Sequence, residues 1–190
     1  AMILADGMLG QMMEPVEIRE QANENPPEKP WATNGHKFKR GHNIVNSLYL
    51  QAEELEKLVF ERFKRYDIIK KEEAMAEVGY TPEDEIIVVS YGASSRVVKA
   101  AVKDARAKGC KVGYLRPITL WPFPEQALRE AAKTAKKFLV VEMSMGQMAD
   151  DVRLATDCAR PVETLLHTGG IIPSPAEVTA KIQMMTGGAV

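Results

Sequence analysis

From residue 84 onward, short apolar runs alternate with longer amphipathic segments, and this alternation limits the possible folds more than any other feature of the sequence. Four runs are typical of strands: EIIVVSYG, KVGYLRP, FLVVEM and PVETLLH. The segments that follow them predict helices, over SSRVVKAAVKDARAKG, PFPEQALREAAKTAKK, GQMADDVRLATDC and SPAEVTAKIQMM. Gly109 is expected to end the first of these helices and Ser174 to cap the last. Strands joined in this way need crossover connections, so we expect an α/β fold with a mostly parallel sheet and helices on both faces.

Three segments precede this region. Residues 2–5 are a short apolar run closed by Asp6-Gly7, which is typical of a buried strand that ends at a loop. Residues 15–43 contain consecutive prolines and little apolar periodicity, so they predict an extended linker, with Trp31 and Phe38 buried as its anchors. A long helix is then predicted from about residue 44 into the middle seventies, with one apolar stripe made of Leu48, Ala52, Leu55, Val59, Phe63 and Tyr66.

Composition and charge exclude several classes of function. The net charge is −1 with acids and bases interleaved, which argues against binding to nucleic acid or to an anionic membrane surface. No apolar run approaches the roughly 20 residues that cross a bilayer, and no leader pattern is visible, so a cytoplasmic location is expected. Cys110 and Cys158 form no CxxC pair, and two buried free thiols are expected rather than a zinc or iron–sulfur site.

The turn VVSYGASSR is the most suggestive local feature. It places Gly92, Ser94 and Ser95 where a strand ends and a helix begins, and free backbone N–H groups at such a point suit an anion. The turn has neither a GxGxxG pattern nor a P-loop lysine. A purely structural turn with a serine cap is the favoured interpretation, and a cofactor-binding or anion-binding role is the alternative.

Two charged residues lie at the predicted ends of strands that follow one another along the chain. Glu142 is placed where α/β proteins often carry functional carboxylates, although a capping or pairing role inside the sheet crevice is equally compatible. Arg116 could hold an acidic partner or pair with Glu142. His36, His42 and His167 form no metal-binding pattern, and no G-x-S-x-G elbow is present. These residues define a crevice with no catalytic set and no metal site.

At the level of longer motifs the sequence resembles a known family. VGYLRPITLWPFP, FLVVEMSMGQMADDVRLA, DGMLGQMMEPVE and NSLYL are similar to the alpha-type subunit of 2-oxoacid:ferredoxin oxidoreductases, and most of all to the subfamily that acts on 2-oxoisovalerate (3-methyl-2-oxobutanoate). The resemblance covers nearly the whole chain and implies a domain similar to the transketolase C-terminal domain. It also implies three parts: residues 1–14 as the remnant of a preceding thiamine-diphosphate pyrimidine-type domain, 15–43 as a linker, and 44–190 as the transketolase-like domain with its leading helix. The chain would then be the C-terminal part of a longer subunit.

The resemblance further implies oxidative decarboxylation of a 2-oxoacid to an acyl-CoA, with electrons passed to ferredoxin. Thiamine diphosphate, Mg²⁺, iron–sulfur clusters and coenzyme A would belong to the whole complex. The sequence lacks both the GDG…N pattern and the cysteines these groups need, so we expect this chain alone to bind none of them and to be inactive. The implied partners are a thiamine-diphosphate-binding beta subunit, a gamma subunit, a ferredoxin-like delta subunit and ferredoxin, in a homo- or hetero-oligomer.

Two other interpretations stay open on sequence alone. One is a stand-alone α/β module that binds an anion or nucleotide at the Gly92–Ser95 turn. The other is the equivalent domain of a transketolase or 2-oxoacid dehydrogenase, which shares the fold and does not use ferredoxin.

Overall fold

A computed structural model describes residues 2–13, 15–18 and 27–187. A 3₁₀ turn lies at Leu9–Gln11. The helices are α1 (Ala52–Glu72), α2 (Gly92–Ala107), α3 (Glu125–Thr134), α4 (Gln147–Ala155) and α5 (Pro175–Met185). The strands are β1 (Ala76–Gly79), β2 (Ile86–Val89), β3 (Val112–Pro117), β4 (Lys137–Glu142) and β5 (Val162–Leu166).

The five strands form one sheet in the order β1-β3-β2-β4-β5. Four of them are parallel, as predicted, and each is followed by the helix that the sequence predicts. The sequence interpretation missed β1, a four-residue edge strand that pairs antiparallel with β3. All four residues of β2 are buried, because this central strand is covered on both faces.

Two hydrophobic clusters, one on each face, hold the layers together. Ile86, Val88 and Leu139 pack with α2 and α5 on one face, which we call the α2 face. Ile87, Val89 and Phe138 pack with α3 and α4 on the opposite face. The alternation of these residues along β2 is the period-2 pattern of a strand, and it confirms helices on both faces.

Helix ends follow local sequence chemistry. The Ser174 hydroxyl accepts a hydrogen bond from the Glu177 N–H, and the Glu177 carboxylate accepts one from the Ser174 N–H, which together make a capping box. Gly109 follows α2 with φ of +85°, a conformation that glycine adopts without steric cost. Both ends are as predicted.

Helix α1 differs from its prediction in two ways. It begins at Ala52 and not near Ile44, because the Asn46 side chain accepts the Leu48 N–H at 2.7 Å and competes locally with helical pairing. No residue of α1 is fully buried, and its apolar stripe is mostly exposed: Phe63 retains 53% of its surface.

Residues 2–5 lie outside the sheet: Met2, Ile3 and Leu4 are almost fully exposed, and no strand pairs with them among the described residues. One further prediction is wrong. Trp31 and Phe38 do not anchor the linker by burial, since they are 67% and 93% exposed. The described part of that segment is held instead by polar bonds, with Arg40 and Asn43 both donating to the Ala32 carbonyl oxygen.

Both cysteines are free thiols, but Cys158 is exposed and Cys110 half-buried, where buried thiols were expected. No helix in the described residues has the length and apolar content that a bilayer crossing requires.

Candidate functional site

The carboxyl ends of the parallel strands meet at one edge of the sheet. After β2 the chain crosses through α2 to β3 on one side, then returns through α3 to β4 on the other side of β2. The connection therefore reverses direction at β2, and α/β proteins bind ligands most often at such a point. The candidate site residues at Gly92, Ser94, Ser95, Arg116 and Glu142 all lie at the end of one of these strands or just after it.

The Gly92–Ser95 turn forms the start of α2. Tyr91 is the extended residue before the helix, and Gly92 has φ of +56°, in the left-handed region where a side chain would be strained. Ser94 and Ser95 are both buried. The Ser95 hydroxyl donates to the Gly92 carbonyl oxygen at 2.7 Å, so it stabilises the turn itself. The Tyr91 side chain does not cap the helix, which leaves the first-turn N–H groups without a side-chain cap.

Glu142 has a structural role. Its carboxylate accepts the Met148 N–H at 3.2 Å and the Ala149 N–H at 3.1 Å, and it also accepts the Ser144 hydroxyl. The residue is only 1% exposed. A carboxylate in this position satisfies first-turn N–H groups of α4 and interacts favourably with the positive end of the helix dipole. Of the two roles left open by the sequence, the structure favours capping.

Arg116 does not pair with Glu142. Its Nη1 donates to the Glu77 carboxylate at 3.3 Å, across the antiparallel β1–β3 pair. The same carboxylate accepts Lys99 at 2.8 Å and the Tyr114 hydroxyl at 2.9 Å. The Lys99 bond, followed by the Tyr114 bond, lowers the pKa of Glu77, and the bond to Glu77 raises the pKa of Tyr114. The Nε of Arg116 is buried and has no partner among the described residues.

Sequence reasoning missed this four-residue group of Glu77, Lys99, Tyr114 and Arg116, which we call the Glu77 cluster. Its members are up to 39 residues apart, and β1 was not recognised as a strand because AEVG is short and follows the long helix. The usable signal was the residue alternation in KVGYLRP, which places Tyr114 and Arg116 on the same face.

The described residues do not fit the cofactors that the resemblance implies. They contain no group of three or more His, Cys, Asp or Glu side chains that could hold a metal ion. His36 and His42 contact each other at 5.6 Å between ring centroids, while His167 pairs with Glu177 at 3.0 Å on a different part of the chain.

The chain is similar in sequence to known proteins. Residues 84–178, half of the chain, match the family model described as pyruvate:ferredoxin oxidoreductase core domain II. The chain is 42% identical to the ketoisovalerate oxidoreductase subunit VorB of Methanothermobacter marburgensis over 185 residues, which cover 97% of this chain and 52% of that protein. It is 47% identical to the 2-oxoglutarate synthase subunit KorA of the same organism over 107 residues, covering 56% of this chain and 28% of that protein.

A solved structure shares the fold. The chain aligns with a 2-oxoglutarate:ferredoxin oxidoreductase from Magnetococcus marinus, solved with 2-oxoglutarate, coenzyme A and succinyl-CoA bound, at a TM-score of 0.64 and 23% identity. The alignment covers 76% of this chain and 25% of that chain. These matches confirm the resemblance to 2-oxoacid oxidoreductase subunits, and they do not support a stand-alone module. The chain spans about half the length of the VorB relative that it matches.

Proposed function

We propose that this chain is a non-catalytic part of a 2-oxoacid:ferredoxin oxidoreductase, since it belongs to the pyruvate:ferredoxin oxidoreductase core domain II family. The complete enzyme would decarboxylate a 2-oxoacid oxidatively to an acyl-CoA and reduce ferredoxin in the cytoplasm. Similarity to VorB over 97% of the chain supports 3-methyl-2-oxobutanoate as the substrate class. Thiamine diphosphate, Mg²⁺ and iron–sulfur clusters would be held by other parts of the complex, because the described residues offer no ligand set for them.

The division of the chain follows the same proposal. Residues 1–14 would belong to a preceding domain, residues 15–43 would link it to the α/β layers, and residues 44–190 would form the transketolase-like domain. The partners would be a thiamine-diphosphate-binding beta subunit, a gamma subunit, a ferredoxin-like delta subunit and ferredoxin itself.

The main support for the scaffold role is the solvent exposure of the apolar side chains of α1. Its 21 residues include no fully buried side chain, and Phe60, Phe63 and Ile68 are 63%, 53% and 56% exposed. An isolated helix gains most of its stability from packing an apolar face, so a helix exposed to this degree is only marginally stable.

The apolar surface continues onto the loop after β3. Trp121 is 56% exposed and contacts Tyr66 of α1 at 5.1 Å between ring centroids. Ile118 and Leu120 in the same loop are about half exposed, at 50% and 46%. Contiguous apolar surface of this kind marks interaction sites in soluble proteins. In the proposed complex, α1 and this loop pack against the rest of the enzyme.

Reconstitution with the remaining subunits tests the proposal. Phe63→Ser should weaken co-purification with those subunits by about tenfold or more, because a buried aromatic side chain contributes roughly 1.5–3 kcal/mol. Leu154→Ser is the matched control, since Leu154 is 72% exposed on α4, far along the chain from α1. Both variants should fold as the wild type does, because neither side chain is buried.

The proposal fails if the purified chain, without partners, oxidises a branched 2-oxoacid or retains stoichiometric thiamine diphosphate. It also fails if Phe63→Ser and Leu154→Ser reduce co-purification equally.

A further inference from the structure

The charges of α1 are arranged in opposite senses on the two sides of Val59. Within EELEKLVFERFKR, residues 53–65, the charged positions at equal distances from Val59 all have opposite signs: Glu53 with Arg65, Glu54 with Lys64, Glu56 with Arg62, and Lys57 with Glu61. The apolar positions are matched in the same way: Leu55 with Phe63, and Leu58 with Phe60. The segment is therefore symmetric in apolar character about Val59 and opposite in charge.

The helix dipole alone does not account for this charge pattern. Acids in the first turn and bases in the last turn are favourable in any helix, but the effect falls off within those turns. In α1 the pattern continues into the middle of a 21-residue helix, where Glu61 is followed directly by Arg62. All eight charged side chains of residues 53–65 are exposed, so they are accessible to a partner.

The apolar face of the same segment is exposed as well. Leu55, Val59 and Phe63 are four residues apart and therefore lie on one face of the helix. None of the three is covered by the sheet or by the other helices, since each keeps more than a third of its surface accessible. Val59 is the middle member of this row, so the centre of the charge pattern is also the centre of the apolar face.

Two copies of α1 would satisfy both features by packing antiparallel about a two-fold axis beside Val59. In such a pair, residues at equal distances from Val59 lie at the same level along the two helices, one on each copy. The acidic end of each segment then lies beside the basic end of the other, and the apolar faces cover each other. A parallel pair would place acids beside acids and bases beside bases.

We propose that α1 is a self-association surface, on which a second copy of this chain packs antiparallel along residues 53–65. The proposed function, on which this step rests, makes α1 an assembly surface, and the second copy is the partner that covers it. A second copy fits better than a different subunit because the charge pattern complements itself once one helix is reversed against the other.

Analytical ultracentrifugation of the purified chain tests the self-association. As the concentration is raised, the wild type should pass from a 21.1 kDa monomer to a dimer. The double variant Glu53→Lys/Glu54→Lys places cations at the level of Lys64 and Arg65 of the other copy, and Lys64→Glu/Arg65→Glu places anions at the level of Glu53 and Glu54. Each should weaken dimerisation about tenfold or more, because like charges on facing helices repel.

Mixing the two double variants is the decisive measurement. Each variant supplies the charges that the other lacks, so an equimolar mixture should dimerise about as well as the wild type, which also shows that both variants are folded. The matched control is Lys103→Glu/Lys108→Glu, which reverses two exposed cations at the end of α2 and should leave dimerisation unchanged.

The self-association is refuted if the wild type stays monomeric, if either double variant of α1 dimerises as well as the wild type, or if their mixture does not associate. A monomeric chain whose Phe63→Ser variant still loses the remaining subunits would refute the second copy and leave the scaffold role intact. A dimeric chain with the expected charge dependence, combined with no loss of subunits in Phe63→Ser, would have the opposite meaning.

Discussion

Replacing Glu142 by glutamine tests whether this carboxylate is structural. In the wild type two oxygens accept three hydrogen bonds, from Met148, Ala149 and Ser144, in a site that is 1% exposed. Glutamine keeps one acceptor oxygen and puts an NH₂ group in place of the other. One first-turn N–H of α4 would then face a donor, and a buried donor without a partner costs about 1–3 kcal/mol.

Loss of the charge weakens the remaining bonds as well, because hydrogen bonds to an ionised group are about twice as strong as neutral ones. We therefore expect Glu142→Gln to lower the free energy of unfolding by about 2–3 kcal/mol. For a chain of this size the melting temperature should fall by roughly 4–12 °C. Urea unfolding followed by circular dichroism at 222 nm measures the change directly.

Glu163→Gln is the control for this prediction. Glu163 is 38% exposed and pairs with Lys181 at 2.7 Å, and an exposed ion pair contributes about 0–1 kcal/mol. The capping argument is refuted if Glu142→Gln unfolds within about 0.5 kcal/mol of the wild type, or if both variants lose the same stability.

Three further predictions concern stability. A Cβ built on Gly113 would lie 2.3 Å from the Tyr80 Cβ and 2.6 Å from its Cα, so Gly113→Ala should destabilise the chain by about 2 kcal/mol or more in thermal unfolding; an unchanged melting temperature would contradict this close approach. Ser174→Ala removes the capping box of α5 and should cost about 1 kcal/mol in urea unfolding, and a Ser174→Asp variant should restore most of it. The folded-state pKa of Glu77 lies below its ordinary value of 4.5, so its contribution to stability is present above that pH and is lost as the pH falls through the lowered pKa. Stability measured from pH 6 to pH 3 should therefore fall less steeply in Glu77→Gln than in the wild type, and identical slopes would contradict the assignment.

Side-chain periodicity was sufficient to predict the layered part of the fold. The β-branched run at 86–89, the proline-led helix α3 and the cap at Ser174 each depend on residues close together in sequence. The same local logic located the Gly92 turn and the buried carboxylate at the end of β4. The predicted burial of Trp31 and Phe38 was wrong for one physical reason. Both side chains are large and apolar, but burial depends on what packs over a side chain, and nothing in the described residues covers these two.

Tertiary structure decided which groups Glu142 and Arg116 contact. The sequence left Glu142 and Arg116 as possible partners, and the fold separates them: Glu142 satisfies the N–H groups of α4, while Arg116 binds a carboxylate on an edge strand that the sequence did not reveal. Residues that are distant in sequence come into contact only once the sheet has formed. A local sequence pattern therefore does not indicate which of several charged side chains will pair with a given residue. Local sequence patterns therefore determined the order of helices and strands. The arrangement of the strands in the sheet decided which contacts each charged side chain makes, and so whether it caps a helix or pairs with another residue.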